Sequence, residues 1–169
     1  MATITKPELV IVREFKAPAE LVFRAFTEAQ HLVHWWGPKG FSLEVIALDV
    51  KPGGKFHYSM KAGENTMSGI FVYHEVNPFD KIVFVSSFAD SEGNIIKAPF
   101  GIDFPLEIMN TWTFSEKDGV TTLTLRGGPH NATEEQRQVY ENMFASMNQG
   151  FGGTFDQLEA YLLQLSHSK

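Results

Sequence analysis

Cysteine is absent from this chain of 169 residues, which excludes disulfide bonds, thiolate metal ligands and thiol nucleophiles. Clusters of lysine and arginine are also absent, and the net charge of −6 argues against nucleic acids and anionic membranes as partners. No apolar run approaches the length of a transmembrane helix, and the N-terminal segment lacks the apolar core of a secretion signal. We therefore expect a cytoplasmic protein, monomeric or homodimeric, that binds no nucleic acid and does not insert into a membrane.

The usual sequence signatures of catalysis are missing as well. No serine lies in a Gly-x-Ser-x-Gly elbow, and no pair of glycines is followed by the Lys-Ser/Thr of a phosphate-binding loop. No two carboxylates stand out as an acid and a base on one inner face. His31 and His34 are three residues apart and would share a helix face, but neither has an evident third ligand. We predict no catalytic residue, no metal site and no cofactor.

Aromatic residues, in contrast, are abundant and make up 13% of the chain, with 15 Phe. One interpretation is a solid core rich in Phe, which the composition alone favours. The other is a wide apolar cavity with rigid walls, because small-molecule sites are commonly lined in this way. The length and a hydrophobic content of 43% fit one globular domain over residues 1–169.

Alternating apolar residues predict seven strands separated by turn residues. The strands are Leu9 to Phe15 and, approximately, 41–50, 54–61, 66–77, 80–89, 105–116 and 119–127. Two short helices follow the first strand, one beginning near Pro18 and the other capped by Thr27 and ending near His34, before a break at Trp35 to Gly40. Residues 89–104 form the longest irregular segment, which is either a lid or a solvated loop.

Turn chemistry fixes the predicted strand register at two places. Asp118-Gly119 suits a two-residue type I′ hairpin turn, and Pro78-Phe79 marks a second hairpin. These turns place the following pairs opposite each other: Phe114 and Leu123, Trp112 and Leu125, Tyr73 and Phe84, and Phe71 and Ser86. Both hairpins put their large apolar residues on one face, which favours an antiparallel meander.

The C-terminal segment predicts one long amphipathic helix from Thr133 to Leu165. Its apolar residues recur at gaps of three and four, and a helix of this length would span about 50 Å. Gly150, Gly152 and Gly153 interrupt it, each at a cost of about 1 kcal/mol relative to Ala, so we predict a bend or soft point there. The whole pattern predicts an α+β fold in which a bent antiparallel sheet wraps around this helix. The helix would cover either a packed core or a cavity.

The predicted inner surface supplies a set of candidate ligand-binding residues. From the sheet come Phe71, Tyr73, Phe84, Ser86, Phe88, Asn110, Trp112 and Phe114; from the helix come Phe144, Met147, Phe151 and Phe155; and Trp36 lies at one end. Three of these are polar, namely Ser86, Asn110 and the Tyr73 hydroxyl. They either satisfy one another and the backbone, or they orient a ligand, because an unpaired buried polar group costs about 1–3 kcal/mol.

Motifs spread along the chain resemble a known superfamily. They are Arg13-x-Phe15-x-Ala17-Pro18, Trp35-Trp36-Gly37-Pro38, Asp49-x-Lys51-Pro52-Gly53-Gly54, Lys81-Ile82-Val83-Phe84 and Gly150-Phe151 through Leu158. Together they resemble the SRPBCC (START/Bet v 1-like) superfamily, in particular the group related to the C-terminal domain of the Hsp90 ATPase activator Aha1. The resemblance implies a helix-grip fold with a mostly apolar internal cavity.

Three hypotheses about function follow from the residues and this resemblance. The first is non-catalytic binding of a small hydrophobic, aromatic or lipid-like molecule between the sheet and the C-terminal helix. The second, implied by the resemblance to Aha1, is an interaction protein that stimulates the Hsp90 ATPase. The third is an enzyme similar to a polyketide cyclase or dehydratase, for which Tyr73 and Asn110 are the only candidate residues. We favour the first, with a small hydrophobic molecule as the expected partner and Hsp90 as the alternative partner.

Overall fold

The described part of the chain forms a seven-stranded antiparallel sheet and four helices. The computed structural model describes residues 8–37, 40–98 and 102–167. The elements are β1 (Leu9–Phe15), α1 (Ala19–Thr27), α2 (Ala29–Trp35), β2 (Ser42–Leu48), β3 (Lys55–Ala62), β4 (Asn65–Asn77), β5 (Lys81–Ala89), β6 (Glu107–Lys117), β7 (Val120–His130), α3 (Glu134–Asn142) and α4 (Phe144–His167). The predicted α+β helix-grip fold is confirmed. The N-terminal segment, for which we predicted no secretion signal, lies outside the described residues. Pro38, part of the predicted break after the second helix, also lies outside them.

Strands β2 to β7 form a meander in which each strand pairs with the next, and β1 pairs with β7 at the far edge of the sheet. Its strand order is β1-β7-β6-β5-β4-β3-β2, and every neighbouring pair is antiparallel. The hairpin between β6 and β7 has the predicted register, with Phe114 opposite Leu123 and Trp112 opposite Leu125. Asp118 and Gly119 have φ values of 54° and 80°, as a type I′ turn requires. Trp112, Phe114, Leu123 and Leu125 are all buried, so this face is the interior.

The hairpin between β4 and β5 reaches the predicted pairs by a different route. Asn77 pairs with Lys81, so the connecting loop has one residue more than the predicted two-residue turn, and Phe79 within it has a φ of 67°. A register shift between Tyr73 and Glu75 then compensates for the longer loop. As a result Tyr73 lies opposite Phe84 and Phe71 opposite Ser86, as predicted.

The two short helices pack Trp35 into the core, although the predicted cap of the second helix does not form. Glu28 is the N-cap residue of α2 and makes no side-chain capping bond. Thr27, the predicted cap, donates its hydroxyl to the Phe23 carbonyl at 3.0 Å instead. Trp35 is 1% exposed, and its indole N–H donates to the Ala25 carbonyl at 2.9 Å, so the last residue of α2 is fixed against α1.

The C-terminal segment is two helices, so the prediction of one helix from Thr133 to Leu165 is wrong. The break is at Met143, whose φ of −97° and ψ of 4° depart from helical values. Just before it, Tyr140 is buried and donates its hydroxyl to the Gly127 carbonyl at 2.9 Å, which fixes α3 on β7. Gly150, Gly152 and Gly153 lie within α4, which is continuous through them, so the bend or soft point predicted there does not end the helix. Its 24 residues span about 36 Å.

The start of α3 depends on a capping box that can be tested directly. Thr133 accepts a hydrogen bond from the Gln136 backbone N–H at 3.1 Å, and the Gln136 side chain accepts one from the Thr133 backbone N–H at 3.0 Å. We expect Thr133→Ala to lower the free energy of unfolding by about 1 kcal/mol, because it leaves the Gln136 N–H without its partner. Urea denaturation followed by circular dichroism measures the change. Thr133→Ser keeps the acceptor and serves as the control; an equal loss in both variants would contradict this account.

Helix α4 is attached to the rest of the fold by its C-terminal half. Phe155, Leu158 and Leu162 are buried against the sheet and the short helices. On the outer side, Arg13 of β1 forms ion pairs with Asp156 and, at 3.2 Å, with Glu159. None of the described helices is both long and apolar enough to cross a membrane.

Candidate functional site

A cavity of about 370 Å³ lies between the inner face of the sheet and the N-terminal half of α4. Its walls come from β1 and from β3 to β7, from the segment before β6, from the end of α3 and the N-terminal half of α4, and from the turn after α2. The described lining residues are Leu9, Trp36, Gly37, Tyr58, Met60, Met67, Ser68, Gly69, Phe71, Phe84, Ser86, Ser87, Phe88, Phe104, Pro105, Ile108, Asn110, Trp112, Leu125, Tyr140, Met143, Met147, Gly150, Phe151 and Thr154. The walls are therefore largely aromatic and aliphatic, with a few neutral polar groups.

Most of the candidate binding residues predicted from the sequence line this cavity. They are Trp36, Phe71, Phe84, Ser86, Phe88, Asn110, Trp112, Met147 and Phe151. Trp36 reaches it because the turn after α2 is held under α4: the Gly37 carbonyl accepts hydrogen bonds from Gln157 at 2.8 Å and from Thr154 at 3.3 Å. This turn therefore positions one aromatic wall.

Four of the predicted residues, Tyr73, Phe114, Phe144 and Phe155, lie outside the cavity. Phe114 packs against Phe23 beneath α1, with ring centroids 5.5 Å apart. Phe155 is fully buried and fills the core between β1 and Trp35, and Phe144 is half-buried and packs against Tyr140. The Tyr73 hydroxyl is buried with no hydrogen-bond partner among the described residues, and this burial raises its pKa. The alternation of residues along the strands identified the inner face of the sheet correctly. It did not predict how much of that face lines the cavity.

The sequence reasoning missed one wall that comes from β3 and the adjoining part of β4. Tyr58 and Met60 alternate with His57 along β3, and this period could have identified them as inward-facing. Gly69 on β4 makes room for Tyr58, because a Cβ at Gly69 would lie 2.4 Å from the tyrosine oxygen. Burial raises the pKa of Tyr58 to about 12, so its hydroxyl stays protonated at neutral pH.

A small polar patch interrupts the apolar walls where β5, β6 and β7 adjoin. Asn110 donates from its amide nitrogen to the Ser86 hydroxyl at 2.9 Å and to the Ile108 carbonyl at 3.0 Å. Opposite Asn110 in the sheet is Gly127, where an added Cβ would lie 2.9 Å from the Asn110 side-chain oxygen and 3.2 Å from the Tyr140 hydroxyl oxygen. The patch therefore brings together an amide and two hydroxyl groups, and a side chain at position 127 would displace them.

The two histidines considered as metal ligands contact α4 outside the cavity. The Nδ1 atom of His31 lies 2.6 Å from the Tyr161 hydroxyl oxygen, and the His34 ring stacks on the Tyr161 ring at 4.9 Å. Burial lowers the pKa of His31, which favours the neutral ring. In the described part of the chain, no group of three or more His, Asp or Glu side chains has the geometry of a metal site. The pair joins α2 to α4.

Comparison with known proteins places this architecture in a family. Residues 16–163 match the family described as Activator of Hsp90 ATPase homolog 1-like protein. No curated protein gives a significant sequence match to this chain.

Among solved structures, protein Ms6760 from Mycobacterium smegmatis is 27% identical, with a TM-score of 0.72 over 92% of this chain and 90% of that chain. Protein NE0264 from Nitrosomonas europaea is 25% identical, with a TM-score of 0.74 over 95% of this chain and 96% of that chain. DynU16, a putative protein in the dynemicin biosynthetic locus, is 19% identical and has a TM-score of 0.64. The structural match covers 92% of this chain and 46% of DynU16, and the similarity extends to the fold alone.

Proposed function

The chain belongs to the Activator of Hsp90 ATPase homolog 1-like family, and we propose that it binds a small, mostly apolar molecule, without catalysis, in the cavity under α4. The observation that carries the proposal is the cavity itself, about 370 Å³ in volume, with aromatic walls. Pockets of about 300–1,000 Å³ with a few placed polar groups are typical of small-molecule sites. A volume near the lower limit favours a compact ligand of one or two rings over a long lipid chain.

The walls combine rigid and adaptable side chains. Trp36, Phe71, Phe84 and Trp112 pack against one another with ring centroids between 4.4 and 6.2 Å apart, which keeps that side of the cavity in one shape. Four methionines also line the cavity, Met60 and Met67 from β3 and β4 and Met143 and Met147 from the start of α4 and the residue before it, and their flexible thioether side chains adjust to different shapes. This combination supports binding of a set of related apolar molecules.

Gly150 offers a way to test the proposal without disturbing the core. It lines the cavity, yet it is exposed, and an added Cβ would meet no atom within 4 Å. We expect Gly150→Trp to weaken binding of a bicyclic aromatic ligand at least tenfold, about 1.4 kcal/mol, because the indole ring competes for the rim of the cavity. Isothermal titration calorimetry with naphthalene derivatives measures the dissociation constants.

Gly152→Trp is the matched control, because Gly152 also has open space around it but does not line the cavity. Its affinity should remain within about twofold of the unsubstituted protein. A ligand at one hundred times its dissociation constant should also add about 2.7 kcal/mol of stability to the unsubstituted protein. If no ligand of an aromatic and fatty-acyl panel raises the melting temperature, or if both variants weaken binding equally, the proposed site is wrong.

The family match favours a second candidate, stimulation of the Hsp90 ATPase through the outer surface. An ATPase assay with purified Hsp90 separates the two, because Gly150→Trp would leave a surface interaction intact while weakening ligand binding. Unchanged turnover at saturating protein would end this candidate.

The third candidate, a cyclase-like or dehydratase-like enzyme, has lost one of its two supporting residues. DynU16 comes from a biosynthetic locus, but its similarity to this chain extends to the fold alone. Tyr73 lies outside the cavity, and Asn110 remains. A neutral amide orients a substrate by hydrogen bonding but does not exchange protons as a general acid or base at neutral pH. The placement of Asn110 therefore supports a role in binding.

A further inference from the structure

We propose that the ligand carries a hydroxyl or carboxamide group that binds to Asn110 and Ser86 on the polar patch of the cavity. This inference rests on the proposed function and adds the chemical class of the ligand.

The amide nitrogen of Asn110 is fully used by the protein. Its two protons go to the Ser86 hydroxyl oxygen at 2.9 Å and to the Ile108 carbonyl at 3.0 Å. These two bonds fix the amide plane, and Asn110 is 7% exposed, so the side chain has little freedom to turn. Its side-chain oxygen accepts no hydrogen bond from the described residues. Asn110 therefore presents one oriented acceptor beside the cavity.

Ser86 supplies the complementary donor. Its oxygen accepts from Asn110, while its own O–H makes no hydrogen bond to the described residues, so that proton is available to a ligand. The neighbouring Tyr140 hydroxyl donates to the Gly127 carbonyl at 2.9 Å and keeps a lone pair free. The patch thus offers two acceptors, the Asn110 side-chain oxygen and the Tyr140 hydroxyl oxygen, and one donor, the Ser86 O–H.

A group that both donates and accepts matches this pattern. A hydroxyl or a carboxamide donates to the Asn110 oxygen and accepts from the Ser86 O–H. A carboxylate has no proton to donate, and it would leave water for walls in which the described residues carry no formal charge. A hydrocarbon would leave both polar groups unpaired, which lowers its affinity.

Three ligands of one shape test the inference: 2-naphthol, naphthalene and 2-naphthoate, titrated calorimetrically at neutral pH. With the unsubstituted protein we expect 2-naphthol to bind about tenfold more tightly than naphthalene, and 2-naphthoate to bind at least tenfold more weakly than 2-naphthol. In Ser86→Ala the preference for naphthol over naphthalene should fall to about twofold, while the affinity for naphthalene is retained. Ser115→Ala, on the same strand as Asn110 but exposed and outside the cavity, should keep the tenfold preference.

Retained naphthalene binding shows that a variant is folded. Asn110→Ala is a second variant, which removes the amide acceptor of the polar patch where Ser86→Ala removes the donor. If naphthol and naphthalene bind the unsubstituted protein equally, the inference is overturned while the proposed function stands. If naphthoate binds most tightly, or if the preference survives in both Ser86→Ala and Asn110→Ala, the inference is also overturned. If none of the three ligands binds, the proposed function fails together with it.

Discussion

Replacing Phe26 by alanine is expected to lower the free energy of unfolding by about 3–5 kcal/mol, because the variant leaves a cavity in the most densely aromatic part of the core. Phe26 is 2% exposed and stacks on Trp112 with ring centroids 4.0 Å apart and planes 8° from parallel. It also contacts Trp35 and Trp36 on the helix side, and Phe71 and Phe84 on the sheet side. No smaller side chain can keep all of these contacts.

Urea denaturation followed by tryptophan fluorescence measures this loss, since all three tryptophans lie next to Phe26. The control is Phe79→Ala, because Phe79 is 43% exposed and packs its ring against Phe23 at the edge of the core. We expect that change to cost about 1 kcal/mol or less, since little apolar area leaves contact. Similar losses for the two variants would mean that Phe26 does not organise the core in the way described.

Replacing Gly150, Gly152 and Gly153 together by alanine is expected to raise the free energy of unfolding by about 2–3 kcal/mol. All three lie inside α4, none has a positive φ, and an added Cβ would meet no atom within 4 Å at any of them. Stability increases because alanine loses less conformational entropy than glycine when the helix forms. Chemical denaturation of the triple variant measures it.

Gly119→Ala provides the contrasting control. Its φ of 80° is a conformation that L side chains rarely adopt, so alanine at this turn position should destabilise the protein although space is available. If the triple variant is less stable than the unsubstituted protein, the α4 glycines must serve a conformation of the helix other than the one described. The soft point predicted at these residues would then be the explanation to pursue.

The sequence predicted those parts of the fold that depend on local backbone chemistry. Asp118-Gly119 permits one tight turn, and that turn fixed the register of Trp112 and Phe114 along a whole hairpin. The shift beside Tyr73 left no such signature, and the predicted pairs near it are right because the longer loop and the shift cancel. The strand register is therefore predictable where the turn residues permit one turn geometry. At the β4–β5 hairpin the predicted pairs are right by coincidence.

The break at Met143 was invisible for a different reason. Tyr140, Phe144 and Met147 keep gaps of four and three across it, so the apolar period continues although the backbone hydrogen bonding does not. The extent of the cavity was equally hidden, because Phe104 and Pro105 enter its wall from an irregular segment without any period. By contrast, Ser86 and Asn110 were recognisable as polar residues on an otherwise apolar face. A hydrogen bond between them was one of the two alternatives, and it forms because the pairing of β5 with β6 brings the two side chains to 2.9 Å.

The pairing of β1 with β7 has a consequence for how the protein is made. As the ribosome releases the chain from its N-terminus, β2 to β7 can assemble hairpin by hairpin, each strand pairing with the one just before it. β1 cannot pair until β7 has been synthesised, so the first of these seven strands to be made is the last to find its partner, and closing so long a loop is entropically costly. The nascent chain therefore carries β1 as an unpaired strand until β7, the last of the seven strands, has been made.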